Sequence, residues 1–258
     1  VYVNSLVVPA DAVLNLNGFN LYAAWLTASG PITGGSVTLV PDGGALDLGM
    51  IAAGTISEQA EVDEWTFFGR TGDICAIEVD PGSERIPTTR LDYAEVVCLD
   101  DAGAVICTNR NTVRGQILFM TGIVLPHDGV YRVQVRAAPE HPANTGHYAV
   151  AVWDVSPDVA ELALNEQAAG RIENPYSIDQ WTFSASAGTQ VRLERGNLSV
   201  PYVVFTLSGP EGWSGFVDLA TNSELVNLPS SGQYTVTAEA SSGSSGGSYA
   251  FQLGETAQ

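Results

Sequence analysis

The chain has 258 residues, 45 % of them apolar and only 15 % charged, with 27 glycines and 13 prolines. That length holds one or two domains and enough apolar side chains for a packed core. Ten basic residues, all arginine, against 29 acidic ones give a net charge of −19, which repels nucleic acid and anionic membrane surfaces, and no run of about 20 apolar residues predicts a membrane span.

In chain order, residues 1–41 come first, and Asp11 is their only charged side chain. The stretch Val13–Leu21 partly alternates apolar residues with asparagine or glycine, which predicts a strand. An uncharged, apolar, strand-forming segment invites pairing with other chains. Leu14, Leu16, Phe19, Leu21 and Trp25 are therefore the candidate assembly residues. Three destinations stay open for the segment. It packs along the following domain, docks on a partner, or completes a sheet in the next subunit by strand addition.

From residue 42 onward, period-two runs predict half-buried strands. Trp65–Phe67, Cys75–Val79, Val130–Val135 and Tyr148–Val152 are the clearest. Turn signals at Arg70–Asp73, Asp101–Gly103, His127–Gly129 and Ser208–Gly212 separate them. Asp158–Asn165 reads as a strand too, because Leu162 and Leu164 correspond to Leu46 and Leu48.

That correspondence is part of an internal repeat. Leu46–Leu48, Ala52–Ile56, Asp63–Phe67 and Gly72 return as Leu162–Leu164, Ala168–Ile172, Asp179–Phe183 and Gly188. Later, Leu125-Pro126…Gly129-Val-Tyr131 returns as Leu228-Pro229…Gly232-Gln-Tyr234, and Gly146-His-Tyr148 as Gly247-Ser-Tyr249. The offset shrinks along the chain, which places deletions in loops of the second copy, mainly opposite 80–95 of the first. The predicted fold class is all-β. It comprises two tandem antiparallel β-sandwiches of jelly-roll type, at 42–156 and 157–258, with the 1–41 strand segment added in front.

Cys98 and Cys107 bracket a strand–turn–strand run. A two-residue Ala102-Gly103 loop sets them opposite each other, close enough for a structural disulfide in an oxidising compartment. Cys75 falls on an inward strand face and is expected as a buried free thiol.

No residues assemble into a catalytic set. The three histidines, His127, His141 and His147, show no metal-site spacing, and His127 and His147 correspond to Ser230 and Ser248. Gly212-Trp-Ser214-Gly215 lacks the second glycine of a nucleophile elbow, and the Gly243–Ser248 run reads as a flexible loop. No cofactor is predicted. Calcium is the one candidate ion, through Glu58, Glu61 and Asp63 or through Asp100 and Asp101. Trp65 and Trp181 occupy equivalent positions and read as core, whereas Trp25 and Trp213 are the candidate exposed aromatics.

The order Gly-x-Ile, Asp-x-Trp-Thr-Phe, Leu-Pro-x-x-Gly-x-Tyr and Gly-x-Tyr, met twice, resembles the bacterial pre-peptidase C-terminal domain. The resemblance runs from Gly54 to Val150 and from Gly170 to Phe251. It implies a jelly-roll-like accessory domain of exported proteins, some relatives of which bind collagen, polysaccharide or calcium. No peptidase domain precedes the repeats in this sequence, only some 41 residues, and the start at Val1 shows no basic leader, so that a signal peptide, if one existed, is expected to have been removed. The expected function is a non-catalytic extracellular or cell-surface structural or adhesive protein, self-associating into a filament or joining another surface protein. The alternative is a secreted module recognising polysaccharide or matrix protein.

Overall fold

Short runs of β-branched and aromatic residues between glycine-bearing turns fold as 22 strands, with a single 3-10 turn at Pro210–Gly212 among the described residues. The structure is a computed structural model. It describes residues 1–81, 89–196, 203–241 and 247–256, apart from the side chains of Asn4, Ala24 and Trp25.

The strands are β1 (Tyr2–Val8), β2 (Leu14–Asn15), β3 (Asn20–Ala28), β4 (Ile32–Thr33) and β5 (Ser36–Leu39), then β6 (Gly43–Ala45), β7 (Ile51–Ile56), β8 (Val62–Gly69) and β9 (Ile74–Asp80). There follow β10 (Ala94–Leu99), β11 (Val105–Arg110), β12 (Leu118–Val124), β13 (Gly129–Ala137) and β14 (Gly146–Asp154). The last are β15 (Asp158–Glu161), β16 (Gln167–Ile172), β17 (Ile178–Ala185), β18 (Gln190–Arg195), β19 (Val203–Ser208), β20 (Val226–Asn227), β21 (Gly232–Ala240) and β22 (Gly247–Thr256).

Contacts divide the chain into two units, Val1–Asp154 and Val155–Gln258. In the first, one sheet has the order β11-β10-β13-β8-β6 and the other β12-β9-β14-β7. In the second, the orders are β15-β17-β21-β19 and β16-β22-β18-β20. Strand for strand the two arrangements match, except that β11 adds an edge to the first. The connection from Asp80 to Ala94 is also longer than that from Arg195 to Val203. Each pair of sheets shares one core. That of the first unit includes Ile56, Ile77, Val96, Tyr131 and Tyr148. That of the second includes Ile172, Leu193, Phe205, Tyr234 and Tyr249.

Two hydrogen-bonded nodes recur in both units. In the first, Trp65 Nε1 donates to the Tyr148 hydroxyl at 2.9 Å, and that hydroxyl donates to Asp63 Oδ2 at 2.6 Å. Trp181, Tyr249 and Asp179 repeat it at 2.8 and 2.6 Å. The tyrosine rings lie over Gly54 and Gly170, where an added Cβ would meet the hydroxyl oxygen at 2.3 and 2.4 Å. In the second node, the Tyr131 hydroxyl donates to the His127 carbonyl and the Tyr234 hydroxyl to the Ser230 carbonyl, each at 2.6 Å.

One sheet of each unit is mixed, which corrects the purely antiparallel expectation, and the other is antiparallel throughout. β6 runs parallel to β8, and β15 parallel to β17. The strand between each pair, β7 or β16, lies in the other sheet of its unit. Crossing to that sheet and back reverses the chain twice, so the pair ends up parallel.

Val13–Leu21 is not one strand either. Asn17 (φ 49°) and Gly18 (φ 85°) turn the chain through the left-handed region, and Asn15 Oδ1 accepts the Asn17 N–H at 2.9 Å. Asparagine and glycine enter that region at little steric cost, so alternation gives way to a turn.

Replacing Tyr249 with phenylalanine is expected to leave Asp179 and the Trp181 N–H buried without their shared partner, a loss of about 1–3 kcal/mol. Amide exchange should accelerate across β17 and β21 and stay unchanged across β8 and β13. Unchanged protection in β17 would contradict a structural role for this node.

Candidate assembly and ligand-binding surfaces

The N-terminal residues pair with one another. β1, β3 and β5 form a parallel three-stranded sheet with Tyr2 opposite Tyr22 and Asn20 opposite Ser36. β2 and β4 form a second parallel pair with Leu14 opposite Ile32. The chain therefore coils, each turn laying a strand beside the strand of the turn before. Close stacking needs glycine at two points. A Cβ on Gly30 would meet the Ala12 carbonyl at 2.2 Å, and one on Gly35 would meet the Phe19 carbonyl at 2.2 Å. Ser36 Oγ donates to Asn20 Oδ1 at 2.8 Å, tying adjacent turns on the outside.

Of the candidate assembly residues, Leu21 is buried, Leu14 and Leu16 are half-buried and Phe19 is exposed. The Trp25 side chain lies outside the described residues, although its backbone pairs with Ser5. The segment is thus paired within its own chain rather than extended. Among the described residues its edge strands are β5 and β1, each with only β3 beside it. Val1, Tyr2 and Val7, which the sequence reading passed over, are exposed there by 77, 58 and 64 %. The signal that could have found them is the β-forming run from Tyr2 to Val8.

The expected calcium ligands have other work. Glu61 Oε2 accepts the Ser57 and Glu58 N–H groups, and Asp63 Oδ1 accepts the Asp42 N–H at 2.8 Å. Glu58, Glu61 and Asp63 do not bring three donor atoms within 4.8 Å of one another. Burial is the main cause that pushes the Asp63 carboxyl up to about 7, with Glu61 and Asp42 adding to it and the Tyr148 hydrogen bond opposing it. Burial likewise raises Asp42, Glu61 and Asp179. Trp213, expected on the surface, is half-buried and packs edge-on against Tyr234, ring centroids 5.7 Å apart. Trp65 is buried and Trp181 half-buried against the second core.

Cys98 and Cys107 are partners in the β10–β11 register, although not by the expected two-residue loop. Gly103 N–H donates to the Asp100 carbonyl, Asp100 N–H to the Ala104 carbonyl, and Gly103 takes φ 87°. That makes a three-residue loop, which by itself would set Cys98 opposite Ile106. A bulge between Cys98 and Leu99 shifts the register by one and restores the Cys98–Cys107 pair. Both are free thiols here, joined by a thiol–thiol hydrogen bond that raises Cys98 and lowers Cys107. Cys75 is a buried free thiol that burial pushes up to about 12.

No family model matches the sequence, and no curated relative is found. Solved structures give faint likenesses. A periplasmic inhibitor of g-type lysozyme from Aeromonas hydrophila is 15 % identical over 39 % of this chain and 100 % of its own, with a TM-score of 0.31. The pre-peptidase C-terminal domain of a collagenase from Bacillus anthracis is 12 % identical over 45 % of this chain and 98 % of its own, TM-score 0.32. Tandem CBM51 modules of a family 98 glycoside hydrolase from Streptococcus pneumoniae are 9 % identical over 78 % of this chain and 81 % of theirs, TM-score 0.25. Likenesses this faint say nothing about activity. No helix among the described residues is long and apolar enough to cross a membrane.

Two outcomes follow from this geometry. Because the folded chain keeps protons on Asp63 and its neighbours that the unfolded chain releases above about pH 4, stability should fall as pH rises from 5 to 8. Asp100 and Asp128, held low by backbone hydrogen bonds from Ala104 and Thr71, lose stabilisation only on acidification below that window. Thermal melts should show the slope, and Asp63→Asn should flatten it; a wild-type profile rising with pH would contradict it. Separately, oxidised protein that is unfolded and alkylated without reductant should carry one label, on Cys75. Three labels by mass spectrometry would exclude the Cys98–Cys107 bond.

Proposed function

We propose that the protein is a non-catalytic structural component of an extracellular or cell-surface assembly, two β-sandwiches carrying an N-terminal parallel coil whose outer strand pairs with a second copy. One observation carries the reading: β1 and β5 each pair only with β3 in the coil's parallel sheet, and apolar side chains are exposed along β1. Exposed edges of this kind template strand addition, and the usual safeguards of lysine, proline or a bulge are missing from Tyr2–Val8. Charge favours the same site. With Asp11 the sole charged side chain of residues 1–41, the coil is the one large region of a chain of net charge −19 where copies can meet without strong repulsion.

A second reading, recognition of a polysaccharide, draws on one feature of the first unit. A shallow cleft of about 500 Å³ is lined by Asp92, Tyr93, Arg114, His141 and Asn144, with the Tyr93 and His141 rings stacked at 3.6 Å. Aromatic faces flanked by planar polar groups suit sugar rings.

Static light scattering distinguishes the two. The apparent mass of the wild-type chain should rise with concentration, and Tyr2→Lys/Val7→Lys should remain at the mass of one chain with unchanged circular dichroism. A wild-type chain that stays monomeric at every concentration would overturn the assembly reading. Retention on a polysaccharide column that His141→Ala abolishes would establish the second in its place.

A further inference from the structure

The β10–β11 turn and the Tyr131 corner meet at three side chains, of which Asp100 also caps its own turn. Asp100 and Asp101 belong to the turn, and His127 to the corner between β12 and β13. His127 Nε2 lies 3.5 Å from Asp100 Oδ2 and 3.7 Å from Asp101 Oδ1. Among the described residues this is the one group of three carboxylate, imidazole or thiol donors whose ligand atoms all lie within 4.8 Å of one another. Donors bound tetrahedrally to Zn²⁺ at about 2.0–2.2 Å stand about 3.3–3.6 Å apart. The two imidazole–carboxylate separations, 3.5 and 3.7 Å, therefore need to close by no more than a few tenths of an ångström, and the two carboxylate oxygens already lie within 4.8 Å of each other.

The imidazole is oriented for ligation. Its Nδ1 is 3.4 Å from the Asp128 carbonyl, so a proton on Nδ1 points there and leaves the Nε2 lone pair facing the two carboxylates. The ring stacks on Tyr131, with centroids 5.6 Å apart and planes at 19°. Its backbone is pinned by the Tyr131 hydroxyl, which donates to the His127 carbonyl at 2.6 Å. Asp100 is fixed as well, since its Oδ1 accepts the Ala104 N–H at 2.7 Å while Oδ2 turns to the imidazole. A lone pair and two anions brought together in this way require a cation or a proton between them.

The second unit removes the bland explanation that the corner needs a histidine. There the same corner is built on Ser230, whose carbonyl accepts the Tyr234 hydroxyl at 2.6 Å. The first unit has an imidazole added to a scaffold that folds with serine, and it is aimed at two aspartates.

We propose that Asp100, Asp101 and His127 bind one first-row divalent cation of the zinc type, through Asp100 Oδ2, Asp101 Oδ1 and His127 Nε2. One nitrogen and two oxygens suit zinc, manganese or iron(II), whereas calcium seeks six to eight oxygens. His127 and Asp101 side chains are 40 and 59 % exposed, so water or an incoming group completes the coordination. The bound ion clips the hairpin to the corner and stabilises the first unit by mass action.

The test is titration of the full chain with Zn²⁺ alone, by calorimetry and thermal melting, beside His127→Ser and Asp101→Asn. His127→Ser copies the residue that the second unit uses at this corner, and Asp101 is exposed, so both variants should fold as wild type without metal. One Zn²⁺ per chain, a raised melting temperature, weaker binding of Ca²⁺, and affinity lower by about tenfold or more in each variant are the expected results. Wild type that takes up no Zn²⁺, or variants that bind it as wild type does, would show that a proton rather than a metal holds the three groups together.

Discussion

The structure depends on a tyrosine hydroxyl buried between an indole and a carboxylate. In each unit three strands converge on that oxygen. One supplies a glycine that leaves room for it, one supplies the tryptophan donor and the aspartate acceptor, and one supplies the tyrosine. The hydrogen-bonded members are separated in sequence by up to 85 residues, so the node forms only when both sheets are in register. Breaking it is costly because the tyrosine hydroxyl and the carboxylate are buried in both units. The same burial holds the aspartate carboxyl above its usual range. This ties the stability of the core to pH in the direction opposite to that of an ordinary surface carboxylate.

With the node and the tyrosine corner fixed, the loops between them are free to differ, and the two units use that freedom differently. The first extends the chain after β10 into a hairpin, so that β11 pairs with β10 and brings Cys107 opposite Cys98. The second turns through Pro210–Gly212, returns along β19 in isolated bridges at Ser214 and Leu219, and places Trp213 against Tyr234. The first unit's turn supplies the aspartates that face His127. The differences between the units therefore collect in the loops of a common scaffold, as expected where strands carry stability.

The N-terminal coil follows a different rule. Its strands pair in parallel through local connections and bury few large side chains, with Val8, Leu21 and Ala23 as its interior. Its integrity rests on close backbone approach at Gly30 and Gly35. Its sheet has two edge strands, β1 and β5, and it carries almost none of the negative charge of the chain.

The sequence by itself determined that the chain is all-β and where its repeated motifs lie. Period-two burial and glycine-bearing turns are local signals, and residues sharing a role in two copies leave a matching pattern. Gly54, Asp63, Trp65 and Tyr148 were visible as motifs, but their meeting at one oxygen was not, because cross-sheet contacts leave no trace in local spacing. The Cys98–Cys107 opposition was legible, yet the bulge that produces it was not. A two-residue loop and a three-residue loop with a bulge give the same pairing from the same residues. Val13–Leu21 misled because alternation carries no sign of handedness, and the left-handed turn at Asn17-Gly18 decided its path. Parallel pairing of β6 with β8, and of the coil strands with one another, was decided by which sheet each strand joined. His127 read as an ordinary turn histidine because the aspartates it faces lie 26 and 27 residues earlier, and only the folded corner brings them within reach.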